Sequence, residues 1–287
     1  MHRFILHNDS IQDAGEKSLA TGQTGLLTGW GVFSTIRVME GVLFAWERHW
    51  ARMTRDAELL NVPMPGDEAA VERNLRRLIE ANSAANSTLR LSVVRNAGGV
   101  WAGPPSGREF DVVAFTANTR VWGAGVRLTC VPQARHAACV FAGTKILAWA
   151  MNLTWLENAQ ARGFDEALLL NERGEISECT SANIFLADGD RVFTPPLSSG
   201  CLPGITRELL LGEVHAHGYR VEEKTLVPAD LETASEVFIT STTRELLAVN
   251  EIDGRAMRNS GGARQALGSA FQSYESAYVE SRLALSH

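Results

Sequence analysis

The chain has 287 residues, 45% of them hydrophobic and 21% charged, with a formal net charge of −6. That length suits one large or two medium domains with a sizeable core, and a negative balance without a basic stripe argues against nucleic-acid and anionic-membrane partners. No apolar run approaches the span of a bilayer, the start turns polar too soon for a signal peptide, and Cys130, Cys139, Cys179 and Cys201 lie too far apart for a zinc site or a disulfide framework, so a cytoplasmic protein with reduced thiols and no metal is expected.

Phe4 to Leu6 reads as an opening strand. Val32–Met39 alternates apolar and polar residues as a strand does, and Glu40-Gly41 turns it into a second one, Val42–Ala45. A helix is expected from about Glu47 to Leu60, stopped by Pro63 and Pro65. A second helical segment, Asp67–Ala84, places Val71, Leu75, Leu78 and Ile79 on one face. Strands at Leu89–Arg95 and Phe110–Ala117 flank a Gly/Pro-rich loop, Gly98 to Gly107. The polar stretch Asn118–Gly125 reads as an interdomain connection, giving a small N-terminal domain over 1–118, a linker over 119–125 and a larger domain over 126–287. The larger domain opens with a strand at Val126–Pro132 and a helix from about Ile146 to Ala161, ended by Gly163. A hairpin of Glu166–Leu170 and Glu175–Thr180 turns at Asn171-Glu172-Arg173-Gly174. Asn183–Leu186 and Val192–Thr194 flank the turn Asp188-Gly189-Asp190. A helix over Thr206–His217, closed by Gly218, precedes strands at Tyr219–Val227 and Glu236–Thr240, and Ala263 to about Leu283 reads as a final helix. The pattern is α+β in two domains, without an internal repeat.

Of the 27 basic residues only three are lysines. Lys17 and Lys224 sit among acidic or polar neighbours, as solvated surface lysines do. Lys145 sits in Val140-Phe141-Ala142-Gly143-Thr144-Lys145-Ile146-Leu147-Ala148-Trp149. Such a lysine is either a snorkelling side chain at a core edge or a functional amine made reactive by desolvation. Leu202-Pro203-Gly204-Ile205-Thr206-Arg207 stands before a helix, where free N–H groups, a hydroxyl and the positive end of the helix dipole suit a phosphate; a plain Thr cap after a glycine turn reads equally from the same residues. Thr240-Ser241-Thr242-Thr243 closes a strand and offers either phosphate donors or an ordinary polar turn. Glu178, among small residues before an apolar strand, is either the partner of a buried cation or a half-exposed strand residue.

In order and spacing these motifs, with Gly29-Trp30-Gly31-Val32-Phe33-Ser34-Thr35-Ile36-Arg37 and His49-Trp50-Ala51-Arg52 ahead of them, closely resemble the fold-type IV aminotransferase family over nearly the whole chain. That family includes branched-chain aminotransferases, D-amino acid aminotransferases and aminodeoxychorismate lyases. The resemblance implies a two-domain α+β enzyme of pyridoxal 5′-phosphate, with a small N-terminal α/β domain, a larger C-terminal domain around a β-barrel-like core, and the active site between them. By that likeness Lys145 carries the cofactor as a Schiff base and moves the proton between substrate Cα and cofactor C4′. Glu178 pairs with the pyridine nitrogen, so that the ring can accept electrons. Arg52 binds phosphate through charge-assisted bonds, Ile205 and Thr206 hold it at the helix N-terminus, Ser241 and Thr242 complete the cup, and Leu202 packs on one face of the ring.

The chain departs from the family pattern where substrate is handled. No tyrosine follows the lysine near Trp149, Ser34 stands where many relatives carry glutamate, and Trp30 replaces a small or acidic residue. Trp30 and Trp149 either wall the substrate pocket or belong to the core. Arg90 falls where some relatives place a carboxylate-binding residue, Arg37 is a weaker candidate, and Thr243, beside the phosphate hydroxyls, is a further substrate-binding candidate. The resemblance therefore implies amino-group exchange between a branched-chain-like amino acid and a 2-oxo acid in a homodimer. Its alternatives are pyruvate elimination from aminodeoxychorismate on the same lysine, and a non-catalytic cofactor-binding relative, which the presence of lysine, glutamate and phosphate groups disfavours.

Overall fold

The computed structural model describes residues 1–16, 19, 22–100 and 107–285. Lys17 and most of the Gly98–Gly107 loop lie outside the described residues. The chain divides into two units, Met1–Arg120 with Lys145–Trp149 and Ala277–His287, and Val121–Thr144 with Ala150–Ser276.

Strand alternation builds the first unit. Its elements are β1 (Phe4–His7), β2 (Ser10–Asp13), α1 (Thr24–Thr28), β3 (Gly31–Met39), β4 (Val42–Leu43), α2 (Trp46–Leu59), α3 (Glu68–Ala81), β5 (Ser87–Arg95) and β6 (Phe110–Ala117). The strands form one antiparallel sheet in the order β2-β1-β6-β5-β3-β4. On one face Val32, Ile36, Val38, Leu89, Leu91, Val93 and Ala114 are buried with Met53 and Ala57 of α2 and Val71, Leu75, Leu78 and Ile79 of α3. Each large aliphatic side chain so buried contributes about 1.5–3 kcal/mol. α3 starts one residue into the expected segment because Asp67 caps it, accepting from the Ala70 N–H at 2.9 Å. The other face carries Phe33, Thr35 and Arg37 of β3, opposite Ser92, Arg90 and Thr88 of β5.

The expected helix from Ile146 begins only at Ala150. Residues 145–149 instead run beside the start of β3: Ile146 bridges Val32, Phe33 N–H donates to the Lys145 carbonyl at 3.0 Å, and Leu147 N–H donates to the Gly31 carbonyl at 2.9 Å. The Lys145 N–H donates to Asp56 Oδ2 at 2.9 Å. These partners lie far off in sequence and replace the bonds a helix would make internally. Gly31 makes room for the arrangement, since a Cβ there would stand 2.4 Å from the Val93 carbonyl oxygen and 2.5 Å from Leu147 Cδ1. Gly31→Ala should lower stability by about 1–3 kcal/mol; an unchanged urea midpoint would show that the 145–149 segment yields freely.

The second unit comprises β7 (Val126–Arg135), α4 (Ala150–Ala161), β8 (Glu166–Asn171), β9 (Ile176–Cys179), β10 (Asn183–Asp188), β11 (Arg191–Thr194), α5 (Ile205–Gly212), β12 (Arg220–Glu223), α6 (Asp230–Thr233), β13 (Glu236–Ser241), β14 (Glu245–Ile252), β15 (Arg255–Ala256) and most of α7 (Ala263–Ala284). Its nine-stranded sheet runs β12-β11-β10-β13-β14-β7-β8-β9, with β15 on β14, and curls into a half-barrel. The pairing is mixed: β7 lies parallel to both β8 and β14, while β10, β13 and β14 are antiparallel neighbours. Leu128, Leu168, Ile176, Ile184, Ile239 and Val249 are fully buried within it.

Besides α6 and β15, which were not expected, three segments differ from expectation. The helix over Thr206–His217 stops at Gly212, where the Glu213 and Val214 N–H groups both turn back to the Leu209 carbonyl. The strand at Tyr219–Val227 contracts to β12. β14 was not expected: it follows from a tight reversal in which Glu245 adopts φ 52, a left-handed conformation that side chain does not advertise. Among the described residues no helix is long and apolar enough to cross a membrane.

Candidate active site

In the first unit the open sheet face gathers three of the expected residues around Phe33. The Lys145 Nζ lies 4.6 Å from the Phe33 ring centroid, the Arg90 guanidinium carbon 3.7 Å from it, and the Trp149 ring meets it edge-on at 5.9 Å. Arg90 is half-buried, and burial pushes its guanidinium below the usual arginine value. Among the described residues it has no carboxylate partner. Arg37 lies further along β3 on the same face. Trp30 is built into the other side, packed against the core with its Nε1 donating to the Leu60 carbonyl at 2.8 Å. With Leu60, Ile146 and Ala148 it lines an apolar cavity of about 250 Å³.

Arg52, on α2, is buried against a pair that residue reading missed. Its Nη2 donates to Ser34 Oγ at 2.9 Å, and Ser34 lies 2.7 Å from His49 Nδ1. Burial, then the charges of Arg52 and Lys145, hold His49 well below the usual histidine value, so the ring is neutral.

In the second unit Glu178 and Leu202 are brought together, the Leu202 N–H donating to Glu178 Oε2 at 3.1 Å. Oε1 accepts from Arg135 Nε at 3.0 Å. Ile205 and Thr206 are buried in the first turn of α5, whose start carries no side-chain cap, so its leading N–H groups have no partner within the helix. Asn183 ties this turn to the hydroxyl-rich strand end. It pairs in register with Thr240 and donates through Nδ2 to the Leu202 carbonyl at 2.9 Å. A Cβ on Gly204 would stand 2.1 Å from the Asn183 amide oxygen, so any larger residue there would have to displace Asn183. Ser241, Thr242 and Thr243 form the tip between β13 and β14. Arg244 holds that tip, donating to the Ser181 carbonyl at 3.1 Å and to Glu166 Oε2 at 3.0 Å, while Trp122 Nε1 donates to the Thr243 carbonyl at 2.8 Å.

A family model of amino-transferase class IV matches residues 31–252. The chain belongs to this family. It is 30% identical over 258 residues to a Methanocaldococcus jannaschii protein provisionally named branched-chain-amino-acid aminotransferase, covering 89% of this chain and 90% of that one. It is 28% identical to the D-alanine aminotransferase of Bacillus licheniformis, over 88% and 89% of the two chains. The solved Escherichia coli branched-chain aminotransferase shares the fold at a TM-score of 0.86 and 24% identity, covering 96% of this chain and 95% of the other. A Legionella pneumophila structure provisionally named 4-amino-4-deoxychorismate lyase does so at 0.83 and 23%, over 91% and 96%.

Class IV aminotransferases work with pyridoxal 5′-phosphate, and the donor set of this chain fits that group. Thr240 Oγ1 is buried without a hydrogen-bond partner among the described residues, on the strand that pairs with Asn183 beside the start of α5. An orphaned hydroxyl of this kind needs an acceptor or donor from a ligand or solvent. A phosphate suits the uncapped α5 turn and the hydroxyls, and a ring nitrogen bearing a proton suits the Glu178 carboxylate.

Proposed function

We propose that the chain is an aminotransferase that exchanges an amino group between a branched-chain-like amino acid and a 2-oxo acid. Lys145 joins the cofactor covalently and moves the proton at substrate Cα. Glu178 pairs with the ring nitrogen, Leu202 packs on the ring, and Arg52, Ile205, Thr206, Ser241 and Thr242 hold the phosphate. The bound cofactor supplies an electron sink for the bond broken at Cα; the side chains supply attachment, orientation and the proton.

The observation that carries this reading is the pairing of Lys145 with Arg90 on one phenyl ring. A half-buried guanidinium without a carboxylate partner is costly to hold, and a substrate carboxylate supplies the missing charge next to the amine. Arg90→Met should therefore raise KM for amino acids about 10–100-fold, the worth of a charged hydrogen bond. For an amine lacking a carboxylate, KM should not change. An equal loss for both substrates would remove Arg90 from substrate binding. Trp149, edge-on to the same ring, then borders the substrate, whereas Trp30 acts from the core side; Arg37 and Thr243 are its outer contacts.

The reaction is tested by adding L-leucine, L-glutamate, D-alanine or aminodeoxychorismate to the cofactor-loaded protein. Bleaching of the cofactor band by an amino acid, reversed by a 2-oxo acid, supports exchange. Pyruvate release from aminodeoxychorismate without lasting bleaching would replace exchange by elimination. The same proposal includes a cytoplasmic homodimer, supported by free cysteines and by exposed Val140, Phe141, Met151 and Leu153 in the second unit.

A further inference from the structure

Glu178 is clamped on both oxygens inside the second unit, by Arg135 Nε on Oε1 and by the Leu202 N–H on Oε2. The Arg135 and Glu178 side chains are only 16% and 12% exposed. Arg135 is itself fastened, Nη1 to the Ala134 carbonyl at 3.3 Å and Nη2 to Asn152 Oδ1 at 3.2 Å. Asn152 donates in turn to the Thr180 carbonyl at 2.6 Å, two residues beyond Glu178. The backbone is shaped to deliver this arginine. β7 pairs with β8 through Val131 and Leu169, slips, and resumes at Arg135 and Asn171, with Gln133 at φ 54 in the slip. Bulges of this sort re-aim a side chain at a site.

We infer that Arg135 is the positioning residue of Glu178: it fixes the carboxylate in one orientation and balances its charge, so that the ring nitrogen of the cofactor meets a preset partner. The inference rests on the role proposed above for Glu178. In it Arg135 touches neither cofactor nor substrate, and its whole effect passes through the carboxylate, as outer partners act on the groups they orient. The planar fork matters because Nε and Nη2 serve Glu178 and Asn152 together, which a lysine ammonium on one flexible stem does less well.

The test is a double-mutant cycle on the rate of cofactor release from the full chain, followed by absorbance in Arg135→Gln, Glu178→Gln and the double variant. Arg135→Gln should speed release about tenfold, the scale of one charge-assisted hydrogen bond, and shift the absorption maximum of the bound cofactor. Glu178→Gln should speed it more, and the double variant should release no faster than Glu178→Gln alone. Arg135→Lys should fall between wild type and Arg135→Gln, and it carries the test if the glutamine variant does not fold. Arg135→Gln acting equally in both backgrounds would make the arginine a fold support and overturn the inference. A strong Glu178→Gln effect with both Arg135 variants silent would overturn it while leaving Glu178 in place; a silent Glu178→Gln would remove the Glu178 role and the inference together.

Discussion

Lys145→Ala should reduce amino-group exchange by on the order of 10⁴-fold, the upper range for a side chain that transfers the proton in the reacting step. It should do so without unfolding the chain. The contacts that hold residues 145–149 in place are made by the backbone, with Phe33, Gly31 and Asp56. The amine at position 145 stands on the Phe33 ring and is only half-buried, so the segment does not depend on it for its backbone contacts. The variant should retain the wild-type thermal midpoint while its cofactor band disappears. Exchange within about tenfold of wild type would contradict the role of the amine, and a collapse of the midpoint would mean that the lysine serves the fold.

Arg244→Ala should produce the largest loss of stability. Arg244 and Glu166 form an ion pair at 3.0 Å with side chains 7% and 1% exposed. Glu166 also accepts from the Thr180 and Ser181 hydroxyls. Removing the guanidinium strands a buried carboxylate, which costs about 3–5 kcal/mol. For a chain of this size that corresponds to a drop of about 10 °C in Tm. The tip of Ser241–Thr243 loses its tie to Ser181, so on the role proposed for Ser241 and Thr242 cofactor retention should fall with stability. Because the cost is that of an uncompensated charge, the double variant Arg244→Met with Glu166→Leu should recover most of the midpoint. A single-variant drop below about 1 kcal/mol would show the pair to be solvated like a surface one.

Much of the framework is legible from residue patterns because burial there has a period. Val71, Leu75, Leu78 and Ile79 fall on one helical face, and β3, β5 and β6 alternate between the core and the open face. Lys145 stands out for a chemical reason, as the one of three lysines in apolar surroundings in a chain that mostly uses arginine. The segment it occupies is not legible. Ile146 to Trp149 carry no residue that forbids a helix, and the segment stays extended because Asp56, 89 positions away, and β3 take up its backbone groups. The same holds for the residues that steady the site. Arg135, Asn183 and Arg244 sit at strand ends and turns where polar residues are ordinary, and each gains its role from a partner in a different element. Ser34 and His49, read as departures or as parts of motifs, become a connected pair only once β3 lies against α2.

The covalent bond itself is the most direct test of the account. Reducing the cofactor-loaded protein with borohydride adds hydride to the carbon of any lysine–cofactor C=N bond and leaves a stable secondary amine. Peptide mapping then has three lysines to choose among, Lys17, Lys145 and Lys224. The account predicts one cofactor per chain, on the peptide that carries Lys145. Label on Lys17 or Lys224, or none at all from a protein that binds the cofactor, would contradict it.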